Sequence, residues 1–224
     1  MSHRLTEAED RERVALMHKT ENEKRSQGYE IIAGVDEAGR GPLAGPVYAA
    51  AVILPPDIYI PYINDSKKLS EKKRNEIFDI IIENAVAYSI ERGTLEEIEE
   101  KNILGATLAA MERAINSLSV KADYALVDGN ICKGITTPCE TVVKGDAKSI
   151  SIAAASILAK VSRDREIIEM GAKYPGYGFE KHKGYGTAEH IAAIEKLGSC
   201  EIHRKSFVKK ALATAERKRR NAEN

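Results

Sequence analysis

The sequence has no net charge and no long apolar run, and each absence excludes a class of protein. Lys plus Arg and Asp plus Glu each number 34, so the formal net charge is zero and gives no sign of a nucleic-acid partner. The longest continuous apolar stretch covers residues 47–54, which is much shorter than a bilayer crossing requires. The chain is charged from Arg4 onward and shows no apolar signal core. We therefore expect a cytoplasmic protein with no membrane partner.

Cysteine is scarce, and no pair of cysteines has the spacing of a metal or redox motif. The three cysteines are Cys132, Cys139 and Cys200. An odd set without a Cys-x-x-Cys pair predicts reduced thiols. The histidines His182, His190 and His203 also lack zinc-binding spacing. They are expected to be loop and helix-cap residues.

Nucleotide-binding motifs are missing as well. No Walker A sequence is present, and the glycine spacing in residues 39–45 is one residue too long for a dinucleotide fingerprint. Ser156 and Ser162 lie in no recognisable hydrolase context. These absences remove the common nucleotide-dependent and serine-dependent enzymes as the first interpretation.

Apolar patterning predicts an α/β core with a mixed sheet. The predicted strands cover residues 29–35, 47–54, 86–91, 124–127 and 141–143. A short glycine- and proline-rich link favours antiparallel pairing of the first two strands. Helices are predicted to follow the N-caps Ser70, Thr94 and Thr187, and to cover residues 102–118, 149–170 and the stretch from residue 206.

Charge divides the chain into three predicted parts. Residues 1–28 form a charged N-terminal helical extension, whose attachment to the rest the pattern leaves open. Residues 29–198 form the core, and residues 199–224 form a basic helical C-terminal segment with eight Lys/Arg against three Glu. This basic segment either contacts phosphates or is an ordinary solvated helix face.

Three of the predicted strands lead into acidic residues. The first leads into Asp36 and Glu37, the fourth into Asp128, and the fifth into Asp146. Because the ends of neighbouring strands lie close together in an α/β sheet, these carboxylates are candidates to converge. Such a cluster suits Mg²⁺ or Mn²⁺, and two ions about 3.5–4 Å apart can promote phosphodiester hydrolysis. The alternative is that these acids are ordinary loop residues.

Two further segments have the composition of nucleic-acid contacts. The flexible turn Gly39-Arg40-Gly41 lets backbone N–H groups approach a phosphate or sugar closely. Residues 174–187 interleave aromatic side chains, glycines and bases. Their aromatic rings either stack on sugars and bases or are tucked against the core.

Long motifs spread over the chain support a more specific interpretation. They are GVDEAGRGP (34–42), DSKKL (65–69), VDG (127–129), KGD (144–146), AAASILAK (153–160), HKGYGT (182–187) and HRKSF (203–207). With these motifs in this order, the chain from about residue 31 to residue 207 resembles the bacterial ribonuclease HII family, the type 2 ribonucleases H. The first 28 residues and the basic stretch after Phe207 carry none of them.

The resemblance implies a ribonuclease H-like fold, a mixed five-stranded sheet flanked by helices, here with a helical C-terminal appendage. It implies an endonuclease for RNA–DNA hybrids and for single ribonucleotides in duplex DNA, which cuts 5′ of the ribonucleotide and leaves 3′-hydroxyl and 5′-phosphate ends. By this resemblance Asp36, Glu37, Asp128 and Asp146 are the catalytic and metal-binding set. The turn at residues 39–41 would sense the 2′-hydroxyl, and Tyr185 would pack on the adjoining sugar.

Two other interpretations stay open at the level of sequence. A DNA exonuclease or junction resolvase of similar architecture would act on all-DNA substrates. A non-catalytic nucleic-acid-binding module would bind without metal-dependent turnover, although the intact acid set argues against it. No interface motif is visible, so we expect a monomer.

Overall fold

The computed structural model describes residues 5–223, so the first four residues of the predicted extension and Asn224 lie outside it. The strands are β1 (Ile32–Ala38), β2 (Val47–Ile53), β3 (Ala87–Gly93), β4 (Tyr124–Asp128) and β5 (Cys139–Val142). The helices are α1 (Glu7–Met17), α2 (Lys19–Ser26), α3 (Glu71–Asn84), α4 (Leu95–Asn116), α5 (Ile150–Lys173), α6 (Phe179–His182), α7 (Ala188–Leu197) and α8 (Lys205–Glu223). Two single 3₁₀ turns lie at Ser66–Lys68 and Gly145–Ala147.

The strands form one mixed sheet in the order β3-β2-β1-β4-β5. β1 is antiparallel to β2 and parallel to β4, β2 is antiparallel to β3, and β4 is parallel to β5. The predicted mixed five-stranded sheet and its antiparallel first pair are confirmed. The predicted end of the first strand at Val35 is wrong, because β2 pairs with Glu37 and Ala38 and extends β1 by three residues. Asp36 and Glu37 therefore lie on the strand itself.

Helices cover both faces of the sheet. Helix α5 packs on one face, against β1 and β2, and α4 packs on the other. The contact with α5 is close at Gly34, where an added Cβ would lie 2.1 Å from the carbonyl carbon of Ser151. Small alanines such as Ala153 and Ala154 are fully buried in the same contact. The helix that follows Asp146 is thus pressed directly against the strand that carries Asp36.

Helix α4 contains a break that the sequence predicts. Thr94 closes a capping box with Glu97, as expected for a helix start. At Asn102 the backbone leaves the helical region, with φ 60° and ψ 173°, and the Asn102 side chain accepts hydrogen bonds from the N–H groups of Leu104 and Gly105. Asn102 therefore caps a second helical segment, in agreement with two successive predicted helices.

The described part of the N-terminal extension is docked on the core. The sequence predicts a helical extension, and its described part forms two helices that meet at His18. The buried Glu21 carboxylate accepts hydrogen bonds from the Ser149 hydroxyl (2.6 Å) and the Ser151 N–H (3.0 Å) at the start of α5. A carboxylate at a helix N-terminus satisfies free N–H groups and complements the helix dipole. The extension thus stabilises the helix that supports the acid set.

The C-terminal part has its own small apolar core beside the sheet. Leu43, Ile167, Phe179, Ile194 and Ile202 are buried together there, between the end of α5 and helices α6 to α8. Helix α8 confirms the predicted helical appendage. Among the residues described, no helix has an apolar stretch of the length that a membrane crossing requires.

Candidate active site

The four predicted acids lie around one end of the sheet. Val35 and Val127 are paired between the parallel strands β1 and β4, so the next residues, Asp36 and Asp128, are neighbours. Asp128 is in turn paired with Val142 of β5. Asp146 follows four residues later, in the 3₁₀ turn that leads into α5. Parallel pairing of β1, β4 and β5 therefore brings the three acidic segments to the same edge.

Asp36 is the most buried member of the set, with 5% of its surface exposed. Burial, together with the charges of Glu37 and Asp128, raises its pKa well above the usual range, while a hydrogen bond from the Ser156 hydroxyl acts in the opposite direction. Ser156 is fixed by a buried contact of 2.9 Å to the Ser66 hydroxyl. The carboxylate is held in place and remains short of positive charge.

The pKa values of Glu37 and Asp146 are also raised. Burial raises the pKa of Glu37, and Arg40, whose guanidinium lies 3.4 Å from the Glu37 carboxylate, offsets part of the effect. Burial and the neighbouring carboxylates of Asp65 and Asp128 raise the pKa of Asp146. Carboxylates that are held close together in this way gain from a bound cation.

Lys67 supplies positive charge to the same edge. Although its partial burial disfavours the charged form, the carboxylates of Asp36, Asp65 and Asp146 raise the pKa of Lys67. Its backbone N–H bonds the Asp65 side chain at 2.9 Å, which caps the 3₁₀ turn. In the sequence, the DSKKL motif (65–69) stands out only through the family resemblance. In the structure, its Lys67 lies beside the acids.

Within residues 5–223, no three acidic, histidine or cysteine side chains form a ready-made metal-ligand group. Two of the acids have protein partners instead: Asp128 accepts a 2.7 Å hydrogen bond from the Gly145 N–H, and Glu37 faces Arg40. Successive side chains of a strand also point to opposite faces, which separates Asp36 from Glu37. The donor chemistry nevertheless fits Mg²⁺ or Mn²⁺, because all the donors are hard oxygens and their charges repel one another.

The glycine turn and Tyr185 are adjacent, as the resemblance implies. A Cβ added to Gly41 would lie 4.0 Å from Cε1 of Tyr185. Tyr185 is 41% exposed, so its ring is accessible to a ligand. Gly39 has φ +95°, and a Cβ there would lie 2.2 Å from Nε of the buried Arg163, so a larger residue does not fit. The ring of Tyr185 also has the cations of Lys160 and Arg163 within 5.6 Å of its centroid.

The aromatic loop, residues 174–187, has some rings tucked against the core and one that is open to a ligand. Tyr177 and Phe179 are buried in the C-terminal core, whereas Tyr185 faces the solvent. The prediction of loop and cap positions holds for His203 but is wrong for His182, the last residue of α6, and for His190, which lies in the first turn of α7. The three rings also pack together. His182 and His190 stack with ring centroids 4.3 Å apart, and the centroids of His190 and His203 are 5.2 Å apart.

Two buried arginines behind the turn are absent from the predicted site. Arg163 donates to the carbonyl of Lys183 (2.9 Å). Arg204 donates to four carbonyls in and just after the turn, those of Gly39, Arg40, Pro42 and Gly45. Sequence reasoning missed Arg204 because it lies in a basic segment, where an arginine is expected at the surface. Its only signal was its membership of the HRKSF motif.

The sheet order, the flanking helices and the acids at one edge define a ribonuclease H-like hydrolase. Residues 33–210 match the family model described as "Ribonuclease HII". A ribonuclease HII from Geotalea uraniireducens is 55% identical over 196 residues, which are 88% of this chain and 90% of the relative. The chain belongs to the ribonuclease HII family.

Solved structures agree with this assignment. The ribonuclease H2 of Pyrococcus horikoshii OT3 matches with a TM-score of 0.69 and 27% identity, over 83% of this chain and 98% of that one. A structure described as Bst-RNase HIII in complex with Mn²⁺ shares the fold, with a TM-score of 0.55 and 20% identity over 84% of this chain and 70% of that one. The protein is an endonuclease of the ribonuclease H type, and its class of substrate is the RNA–DNA hybrid.

Proposed function

We propose that this enzyme also cuts duplex DNA on the 5′ side of a single embedded ribonucleotide, leaving 3′-hydroxyl and 5′-phosphate ends. The observation that carries the proposal is the placement of the turn at residues 39–41 against the exposed ring of Tyr185, next to the acid set. Only the 2′-hydroxyl distinguishes one ribonucleotide from its DNA neighbours. A compact backbone turn beside a flat ring is suited to recognise that hydroxyl and its sugar.

The chemistry is proposed to depend on divalent cations. Asp36, Glu37, Asp128 and Asp146 would hold Mg²⁺ or Mn²⁺, with two ions during catalysis. When bound, such ions activate the attacking water and stabilise the leaving 3′ oxygen. The raised pKa values of Asp36, Glu37 and Asp146 support this proposal, because a bound cation offsets both the burial and the repulsion that raise them.

The protein's own contribution is positioning. The Glu37 N–H holds one oxygen of Asp36 and the Gly145 N–H holds one oxygen of Asp128, both at 2.7 Å, which leaves the other oxygen of each carboxylate for a ligand. Backbone groups of the glycine turn hydrogen-bond the 2′-hydroxyl, and Tyr185 packs on the sugar of the adjoining nucleotide. A polar site that loses its hydroxyl partner in all-DNA substrates discriminates strongly against them.

The biological role that follows is ribonucleotide removal from DNA and RNA primer removal, in replication and repair. We propose that the protein acts in the cytoplasm and as a monomer. The division into an N-terminal extension (1–28), a catalytic core (29–198) and a basic C-terminal segment (199–224) stays a prediction.

The test is an incubation with duplex DNA that carries one ribonucleotide, in Mg²⁺, in Mn²⁺ and in chelator, beside an all-DNA duplex and a long RNA–DNA hybrid. A metal-dependent cut 5′ of the ribonucleotide, absent from the all-DNA control, supports the proposal. Cutting of the hybrid alone would restrict the enzyme to longer RNA. Cutting of all-DNA duplex would favour a DNA nuclease, and binding without any cut would favour a binding module.

A further inference from the structure

The segment before helix α8, residues 200–204, connects the glycine turn to Tyr185; we name it the anchor segment. It lies against the chain that follows the turn: the Arg204 N–H donates to the Leu43 carbonyl, and the Gly45 N–H donates to the Ile202 carbonyl, both at 2.8 Å. His203 forms an isolated antiparallel bridge with Ala44. The backbone of the anchor segment is therefore fixed relative to the turn.

Arg204 holds the turn from behind. Its guanidinium is 1% exposed and donates to the carbonyls of Gly39 (2.7 Å), Arg40 and Pro42 (both 3.0 Å) and Gly45 (2.8 Å). Burial and the nearby Arg163 lower its pKa to about 9, so the group is still charged at neutral pH. A planar fork of five donors can serve several acceptors in one fixed geometry, which a lysine cannot reproduce.

His203 connects the anchor segment to Tyr185 through His190. The Tyr185 carbonyl can only accept, so the 2.9 Å contact requires a proton on Nδ1 of His190. Nε2 of a neutral His190 is then an acceptor, and Nε2 of His203 donates to it at 3.0 Å. Nδ1 of His203 in turn accepts from the N–H (2.9 Å) and the thiol (3.0 Å) of Cys200. With this one arrangement of protons, every donor in this series of hydrogen bonds faces an acceptor.

This arrangement requires both histidines to be neutral. A second proton on His190 would place two N–H groups face to face across 3.0 Å, and a second proton on His203 would place its Nδ1–H against the Cys200 N–H at 2.9 Å. Burial, more than any neighbour, lowers the pKa of His190 to about 4 and also lowers that of His203. The titratable groups that face the pair are His182, stacked on His190, together with Tyr177 and Cys200.

We propose that Arg204 and the His203–His190 pair are positioning residues that hold the glycine turn and Tyr185 at a fixed distance and orientation relative to each other. Arg204 sets the carbonyls of the turn, and the histidine pair sets the backbone of Tyr185. Because both connections start from adjacent residues of one segment, the spacing between turn and ring is built into the fold. This inference rests on the proposed role of these two elements in ribonucleotide recognition.

The first experiment is a double-mutant cycle between His190 and Tyr185. His190→Gln moves the amide away from the Nδ1 position, whereas His190→Asn places an amide N–H close to it. We measure kcat and KM on duplex DNA with one ribonucleotide for each variant, alone and combined with Tyr185→Ala. We expect His190→Gln to lower kcat about tenfold with little change in KM, because small displacements of a positioned group cost this much or more.

Two results are expected from positioning and not from a general loss of stability. His190→Asn should regain most of the lost rate. His190→Gln should cause no further loss in the Tyr185→Ala background, because the ring that it positions is already gone. An equal loss in both backgrounds, or a folded His190→Asn as slow as His190→Gln, would overturn the inference. Thermal denaturation of each variant establishes that it is folded.

Arg204→Lys tests the other connection, with Arg217→Lys on the exposed side of α8 as the matched control. We expect Arg204→Lys to slow cleavage at the single ribonucleotide about tenfold and Arg217→Lys to leave it unchanged. Equal rates for the two folded variants would overturn the role of Arg204. If Tyr185→Ala itself cuts at the wild-type rate, the proposed recognition role is wrong. If Tyr185→Ala slows cleavage but the His190 and Arg204 variants cut at the wild-type rate, the recognition role stands and only this inference fails.

Discussion

The acid set and the proposed recognition elements, which are the turn at residues 39–41 and Tyr185, differ in how completely the protein supplies partners for their charges and hydrogen-bonding groups. At the edge of the sheet, the pKa values of Asp36, Glu37 and Asp146 are all raised, which marks charges without enough partners. Behind the glycine turn, the guanidinium of Arg204 meets four carbonyls, and every donor of the His203–His190 chain has an acceptor. Under the proposed roles, the catalytic part would be completed by a bound cation, whereas the protein itself pre-organises the recognition part.

The largest expected effect comes from removing one charge of the acid set. Asp36→Asn should lower cleavage on the order of a thousandfold or more, because a neutral amide is a poor ligand for the divalent cations that the chemistry needs. Binding should be largely intact, since the recognition elements are untouched. Rates come from gel-resolved cleavage of duplex DNA with one ribonucleotide. Near-normal turnover would contradict the assignment of Asp36.

Removing the ring of Tyr185, which belongs to the recognition part, should lower the cleavage rate less than Asp36→Asn does. Tyr185→Ala is expected to slow cleavage at the single ribonucleotide about tenfold, the scale of one lost stacking contact, and to weaken binding less. Tyr185→Phe keeps the ring and serves as the control. Single-turnover rates and titrations with the same labelled duplex separate the two effects. Identical kinetics for wild type and Tyr185→Ala would refute the role of the ring.

The pH dependence of stability should show the strain in the acid set. A carboxyl whose pKa is raised by folding destabilises the folded state increasingly as pH rises from about 4 toward the raised pKa. In chelator, Asp36→Asn should therefore be more stable than wild type at pH 8, by about 1 kcal/mol or more, and the gap should shrink on acidification. Urea unfolding at several pH values measures it. A pH-independent gap would show that the ionisation of the buried Asp36 carboxyl is not the cause.

The smallest expected effect concerns the support of the acid set by the N-terminal helices. Glu21→Gln keeps the size of the side chain but removes the charge that accepts two hydrogen bonds at the start of α5. We expect the free energy of unfolding to fall by about 1 kcal/mol. Glu23→Gln, on the exposed side of α2, is the control. Equal stabilities for the two variants would show that the Glu21 contact adds nothing.

The elements of the fold were largely predictable because each is encoded locally. Ser70, Thr94 and Thr187 cap the helices that their side chains predict, and each accepts the expected hydrogen bond from the helix backbone. Strand ends were less certain, since the extension of β1 through Ala38 depends on pairing with β2. Local patterning cannot show such non-local pairing.

The site was predictable only in part, for a similar reason. An acid after an apolar strand is visible in the sequence, and parallel pairing brings Asp36 and Asp128 together. The burial of Arg204 is not visible, because its acceptors are backbone carbonyls about 160 residues earlier in the chain. The sequence places the histidines at caps and loops, but their mutual stacking depends on how α6 and α7 pack.

The most direct test of the division between a ligand-completed catalytic part and a pre-organised recognition part is a binding measurement on Asp36→Asn. In Mg²⁺, where this variant does not cut, its affinity is measured for a duplex with one ribonucleotide and for the same duplex entirely of DNA. We expect a preference for the ribonucleotide of about tenfold, the scale of one satisfied hydrogen bond. Equal affinity for the two duplexes would contradict it.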